Sequence, residues 1–142
     1  LVEHAGIDAN DVFVDLGSGL GQVPMLVAIL TGARCIGIER ERVYVDAAQK
    51  SAQALQLHLV SFIAQDVRVA DLSSGSVFYL YTPFTGSILR AVLDALRREA
   101  QRRPIRLVTF GPGAASVAAE SWLHPTGDVC ASRITVFRPT AG

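Results

Sequence analysis

The run Val12-Phe13-Val14-Asp15-Leu16-Gly17-Ser18-Gly19-Leu20-Gly21-Gln22-Val23-Pro24 constrains this chain more than any other segment. It reads as a β-strand, an acid at the strand's end, a glycine turn and the start of a helix. Three β-favouring residues lead in. The three spaced glycines permit left-handed backbone and close approach to a ligand, and Pro24 suits a helix's first turn, where a missing N–H costs little. Such a turn marks a small-molecule site, of the kind that takes a nucleoside-type cofactor.

The dinucleotide fingerprint G-x-G-x-x-G does not fit. Counted from Gly17 its third glycine falls on Gln22, and counted from Gly19 on Pro24, so the small residue needed for helix-to-strand packing is missing in both registers. No Gly-Lys-Ser/Thr sequence follows the turn, which excludes a P-loop. The spacing Asp15-x-Gly17-x-Gly19-x-Gly21 is complete.

The next acids fall at matching places. After a helix over about Gln22 to Thr31, Arg34 to Glu39 reads as a second strand ending in a carboxylate. A helix over about Arg42 to Leu55 follows, then a third strand over Leu59 to Ala64, with Gln65-Asp66-Val67 at the same end of the sheet. Val77 to Tyr81 is a fourth strand, nearly continuous in apolar and aromatic residues as a doubly buried strand should be. Thr82-Pro83-Phe84 follows it. In an open parallel sheet ligands bind outside the carboxyl ends of the strands, so these segments converge on one crevice. A crevice bordered by Asp15, Glu39 and Asp66, with no lysine in the turn, repels a pyrophosphate and suits a ligand with hydroxyls, amines and a positive charge. Plainer roles stay open: Asp66 can serve as a helix cap, and Glu39 also stands where it can cap the helix that follows.

The Asp15 to Gly21 pattern resembles the first motif of the class I S-adenosylmethionine-dependent methyltransferases. The exact run Asp-Leu-Gly-Ser-Gly-x-Gly-Gln-Val (Asp15 to Val23) is similar to the cofactor motif of the non-SET histone-lysine methyltransferases, in which the position of Leu20 is often valine. The resemblance covers about Val12 to Phe137. It implies S-adenosylmethionine as cofactor, whose sulfonium, ammonium, ribose diol and exocyclic amine suit the acidic crevice better than NAD or ATP. It also implies a Rossmann-like α/β fold: an open, mostly parallel sheet with helices on both faces and an antiparallel C-terminal strand. By the same resemblance Asp15 orients the turn, the backbone from Gly17, Ser18, Gly19 and Gly21 to Gln22 and Val23 meets the methionine part, Glu39 holds the ribose beside Arg40, and Gln65, Asp66 and Val67 frame the adenine. Tyr81, Thr82, Pro83 and Phe84 line the methyl-transfer point, where Tyr81, Thr82 and Phe84 are the catalytic candidates and Tyr81 and Pro83 also touch the cofactor. Tyr81 stands where the amino-methylating enzymes carry an Asp or Asn before Pro-Pro-Tyr/Phe, which speaks against a base amino group as acceptor. It is the best candidate for polarising a nucleophile. The histone-lysine enzymes need a separate substrate platform and basic nucleosome-binding regions, and this chain shows neither.

Composition adds limits. The 142 residues, half of them hydrophobic, suffice for one domain. Thirteen basic residues balance thirteen acidic ones, so no global footprint for nucleic acid or anionic membrane exists. Twelve of the thirteen basic residues are arginines, and those at 97, 98, 102, 103 and 106 read as a solvated helix end. Cys35 and Cys130 suggest neither a disulfide framework nor a metal site, and His4, His58 and His124 stand alone. With no membrane span and no signal segment the expected location is the cytoplasm.

Beyond the fourth strand, Ser87 to Arg102 has helical periodicity and Pro104 ends it. Ile105 to Phe110 is a fifth strand, Ala114 to Ser121 a short helix, Trp122 to Gly127 an exposed turn region, and Arg133 to Phe137 the last strand. Only eleven residues precede the first strand, and no insertion is large enough for a substrate lid. The expectation is a single S-adenosylmethionine-binding core domain, residues 1–142, belonging to a longer chain. Its acceptor, a small molecule or a protein, and its oligomeric state are not readable. Two other readings compete: a catalytically silent adenosyl-cofactor-binding domain, and a NAD(P)-dependent oxidoreductase.

Overall fold

The computed structural model describes every residue of the chain except Thr82, Pro83, Thr85 and Gly142. A short helix α1 (Val2–Ala5) leads into β1 (Val12–Leu16), α2 (Gln22–Thr31), β2 (Arg34–Glu39), α3 (Arg42–Ala54) and β3 (Val60–Ala64). After a 3₁₀ turn (Val67–Val69) come β4 (Val77–Leu80), α4 (Gly86–Ala100), β5 (Arg106–Thr109), α5 (Ala114–Ala118), β6 (Leu123–Pro125) and β7 (Thr135–Pro139). Among the described residues the sheet has seven strands in the order β3-β2-β1-β4-β5-β7-β6. The first five run parallel. Strand β7 inserts antiparallel between β5 and β6. The order reverses between β1 and β4, and a crevice at such a reversal is where open α/β sheets bind ligands.

Alternation along the parallel strands builds two cores. Val14, Leu16, Ile38, Phe78, Leu80, Leu107 and Phe137 pack on one face against Val92, Leu93 and Leu96 of α4. On the other face Phe13, Cys35, Val77, Tyr79, Val108 and Val136 pack with Val27 of α2 and Ala5 of α1. Helix α3 adds Val45, Ala48 and Ala52 against Phe62 and Met25. Each large side chain so buried contributes about 1.5–3 kcal/mol relative to exposure, and together they hold the strand ends, and the loops on them, in fixed register. Helix α2 is bounded by Gly21 (φ 81°) and Gly32 (φ 72°).

The C-terminal third departs from the sequence reading. Trp122 and Leu123 are 8% and 5% exposed, not in an exposed turn, and Leu123–Pro125 forms the edge strand β6. Leu123 pairs in register with Pro139, and the Trp122 indole donates to Glu120 at 2.9 Å. Pro125 misled because proline is rare in central strands, whereas an edge strand tolerates its missing N–H. The last strand is shifted to Thr135–Pro139, and α5 is shorter than expected. Two of the clustered arginines are structural. Arg103 donates to the carbonyls of Leu72 and Gly75 and pairs with Glu99, while Arg106 pairs with Asp11 at 2.7 Å. Cys35 and Cys130 are free thiols. No described helix is long and apolar enough to cross a membrane.

Candidate functional site

The glycine turn is tied to the end of β2 at three points. The Gly17 and Ser18 N–H groups both donate to the Ile38 carbonyl, at 2.8 and 3.0 Å. The Gly19 N–H donates to Glu39 Oε1 at 3.1 Å, and the other oxygen, Oε2, accepts the Glu41 N–H at 3.1 Å. Glu39 therefore braces both the turn and the residue before α3 while lining a cavity; it does not cap α3, whose N-cap is Glu41 with no side-chain cap hydrogen bond.

The glycines divide by role. Gly19 has φ +56° and open space where a Cβ would stand. A Cβ on Gly21 (φ +81°) would lie 2.5 Å from the Phe62 ring, so this glycine serves close packing of the turn against β3. Gly37 has the same function from β2: its Cβ would meet Phe62 at 2.5 Å and Ser18 Oγ at 2.6 Å. Sequence reasoning missed Gly37, although a lone glycine inside a strand signals close approach of this kind.

The cavity holds about 210 Å³ and is lined by Gly17, Ile38, Glu39, Arg40, Glu41, Asp66, Val67, Phe84 and Ile88. Its lining combines apolar side chains (Ile38, Val67, Phe84, Ile88) with carboxylates (Glu39, Glu41, Asp66). A flat heterocycle joined to a hydroxylated ring fits that division, as small-ligand sites combine an apolar wall with a few polar anchors. Glu41 was not foreseen. Asp66 caps the 3₁₀ turn through the Arg68 N–H at 2.9 Å and pairs with the Arg68 guanidinium at 2.6 Å. These side-chain and then backbone bonds from Arg68 hold its carboxyl down at about 2. Gln65 donates its N–H to the Glu39 carbonyl at 2.9 Å.

Asp15 does not line the cavity. It is 4% exposed, beneath the turn, beside Gly37 and Tyr79 in register. Burial, and then the charge of Glu39, push its carboxyl up to about 7. Burial, with Asp15 and Tyr81 nearby, pushes the Tyr79 phenol up to about 12. Val23 faces away from the cavity, into a groove with α1, and Gln22 is exposed at the first turn of α2. The Ser18 hydroxyl is buried beside Gly37 without a partner in the fold.

Tyr81 stands beyond the end of β4, not within it, and its ring lies 5.4 Å from that of Phe110 at 32°. Phe84 is shared between the 210 Å³ cavity and a cleft of about 10 Å³ lined by Leu80, Tyr81, Leu89, Thr109, Gly113 and Val117. The catalytic candidate Thr82 and the cofactor candidate Pro83 lie outside the described residues. Larger concavities, about 510 Å³ along α3 and β3 and about 670 Å³ between α1 and α2, lie away from the strands' carboxyl ends. No group of three or more His, Cys, Asp or Glu among the described residues is placed to hold a metal ion.

Comparison with known proteins places the fold among methyltransferases. The family model described as "Histone methylation protein DOT1" matches residues 1–78. An RNA methyltransferase from Salinibacter ruber, crystallised with S-adenosyl-L-homocysteine, is 30% identical; the match covers 96% of this chain and 84% of that one, with a TM-score of 0.75. An S-adenosylmethionine-dependent methyltransferase from Aquifex aeolicus shares the fold at 15% identity, covering 96% and 86% of the two chains with a TM-score of 0.77. An uncharacterized protein of Methanocaldococcus jannaschii is 37% identical over 62 residues, 44% of this chain and 28% of that protein. The match thus spans little more than a quarter of that relative.

Proposed function

The chain belongs to the DOT1 histone methylation family and has the class I S-adenosylmethionine-dependent methyltransferase fold, and from that premise we propose that it methylates RNA. S-adenosylmethionine is its cofactor. The observation that carries the acceptor is where each similarity lies. The family match ends at residue 78, within β4, and so covers the cofactor half of the sheet. The likeness to the Salinibacter RNA methyltransferase runs over both halves.

In this reading Glu39 accepts from the ribose hydroxyls. A carboxylate has about four lone-pair sites, so it can keep its bonds to Gly19 and Glu41 while doing so. Ile38, Val67, Phe84 and Ile88 enclose the adenine, with Gln65, Asp66 and Arg40 at its edge, and the space left where Gly19 carries no Cβ admits the methionine part. Asp15 acts through its field from beneath the turn. Tyr81 works on the acceptor side of the site, and Phe84 lines both the cofactor cavity and the cleft beside Tyr81.

Bound S-adenosylmethionine supplies a methyl group already activated on a sulfonium. The protein is then left with alignment at about 3–3.5 Å and exclusion of water. Incubation with radiolabelled S-adenosylmethionine and, separately, total RNA and core histones tests the acceptor. Ribonuclease-sensitive label in the RNA sample is expected; label in histones alone contradicts it.

A further inference from the structure

We propose that this chain forms a two-fold dimer in which β3 pairs antiparallel with β3 of a second copy, centred on Phe62. The interface lies apart from the cofactor cavity and stands independently of the acceptor.

The register of the sheet leaves β3 with an open side. It stands first in the sheet order, and among the described residues no strand pairs with it except β2. The Cys35 N–H donates to the Leu59 carbonyl at 3.0 Å and the Gln65 N–H to the Glu39 carbonyl at 2.9 Å, so residues 59, 61, 63 and 65 turn their backbone groups to β2. Val60, Phe62 and Ala64 therefore turn theirs outward. Two of these outward groups are engaged within the chain. The Phe62 carbonyl accepts from Gln49 Nε2 at 3.2 Å, which leaves its second lone pair, and the Val60 N–H reaches the Leu57 carbonyl at 3.4 Å.

This edge lacks the charges and the proline that keep an edge from pairing. From Leu57 to Gln65 the chain holds no Lys, Arg, Asp, Glu or Pro. The strand at the opposite edge, β6, is three residues long and ends in Pro125. Short length and proline blunt an edge, whereas an uncharged five-residue strand invites another strand beside it. Leu59 and Ile63, on one side of the sheet, remain 52% and 43% exposed. On the other side a groove of about 510 Å³ runs along the strand and gives an incoming strand room. The α3 side chains that border it, Gln49 and Gln53, carry no charge.

Symmetry selects a second copy as the occupant, because a two-fold interface requires a surface complementary to itself. With Phe62 on the axis, Val60 faces the partner's Ala64 and Phe62 faces the partner's Phe62. The Phe62 N–H then meets the partner's Phe62 carbonyl, the Ala64 N–H meets the partner's Val60 carbonyl, and the axis repeats both bonds. Ser61 lies opposite the partner's Ile63, and the exposed Leu59 and Ile63 of the two strands become diagonal neighbours that cover one another. The axis stands perpendicular to the sheet, so the carboxyl ends of the two β3 strands point in opposite directions. Each cofactor cavity thus lies at its own end of the joined sheet.

Sedimentation equilibrium of the chain and of Ile63→Lys tests the dimer. A monomer–dimer equilibrium is expected in the parent. Ile63→Lys sets like charges beside each other across the axis and should weaken association at least tenfold, while an unchanged circular dichroism spectrum reports that the variant is folded. Crosslinking tests the register. Residues 61 and 63 of opposite strands form a pair without mutual hydrogen bonds, with a Cα separation of about 4.5 Å, which a disulfide spans. A mixture of Ser61→Cys and Ile63→Cys chains, both in a Cys130→Ser background, should give a covalent dimer on oxidation, and Cys130→Ser alone should not. A parent that is monomeric at every concentration overturns the proposal, and so does a dimer equally strong with Ile63→Lys. A dimer that the cysteine pair does not crosslink places the interface elsewhere and overturns it as well. A monomeric parent that binds a synthetic peptide of residues 59–65 assigns the open edge to an extended segment of another protein instead of a second copy.

Discussion

The carboxylate of Glu39 accepts the backbone N–H of Gly19 at 3.1 Å, twenty residues away in sequence. This bond joins the two features that a methyltransferase reading treats separately, the glycine turn and the acid after the second strand. The second carboxylate oxygen holds the Glu41 N–H, so one side chain that lines the cavity also fixes the turn beside it before any ligand arrives. Hydrogen bonds to a charged acceptor contribute about 1.5–3 kcal/mol. Glu39→Ala should therefore lower unfolding stability by about 1–2 kcal/mol in urea titration and weaken cofactor binding at least tenfold. Glu39→Gln, which keeps an acceptor oxygen, should recover most of the stability and only part of the affinity.

Gly37→Ala tests the packing beneath the turn. The added methyl would lie 2.5 Å from the Phe62 ring and 2.6 Å from Ser18 Oγ. Overpacking of this kind costs about 1–3 kcal/mol, read as a fall in the urea midpoint at unchanged slope. Phe62→Leu should be destabilising alone yet partly relieve Gly37→Ala, so the two changes should be strongly non-additive.

Asp15 gives the molecule a pH dependence of defined sign. Its carboxyl is raised to about 7 in the fold by burial and by Glu39, against about 4 in an unfolded chain. Between those values folding takes up a proton, so this group lowers stability as pH rises from about 4 to 7 and adds no further slope above that. Asp15→Asn removes the effect. The variant should gain stability over the parent as pH rises, by about 2–4 kcal/mol at pH 8, and show no such gain at pH 4. A cationic ligand favours the ionised form, so S-adenosylmethionine should bind more tightly at pH 8 than at pH 6, a trend that Asp15→Asn should flatten. Calorimetry at the two pH values checks this.

Arg103 holds the turn before β4 through the Leu72 and Gly75 carbonyls, at 2.8 and 2.7 Å. Arg103→Ala leaves these acceptors without it and leaves Glu99 only its longer pair with Arg102 at 3.9 Å. A loss of about 1–3 kcal/mol is expected, with S-adenosylhomocysteine affinity unchanged at a temperature where the variant is folded, because these contacts lie at the amino end of β4 and away from the cavity.

The parallel half of the sheet was legible because an acid stands at or close to the carboxyl end of each of its first three strands. Asp15, Glu39 and Asp66 are spaced by helices of ordinary length, and the boundaries of α2 and β2 follow from Gly21, Gly32 and the Arg34 to Glu39 run. The C-terminal third was less so. Leu123 pairs with Pro139 of β7, and Trp122, whose carbonyl accepts the Thr140 N–H, packs into the core, contacts between distant residues that no local pattern announces. Asp15 was read as bordering the crevice, yet it lies beneath the turn, since strand alternation fixes the face but not whether a loop covers it. The ring contact of Phe110 with Tyr81 was invisible for the same reason: only the β4 to β5 register brings the two together.

The central claim is that the cavity beside Glu39 takes the adenosyl cofactor. Isothermal titration of the chain with S-adenosylmethionine and S-adenosylhomocysteine, with NADH as control and Glu39→Ala in parallel, tests it most directly. Binding of both adenosyl ligands in the micromolar range, lost in Glu39→Ala and absent for NADH, is the predicted result. NADH binding with no response to either adenosyl ligand would contradict it.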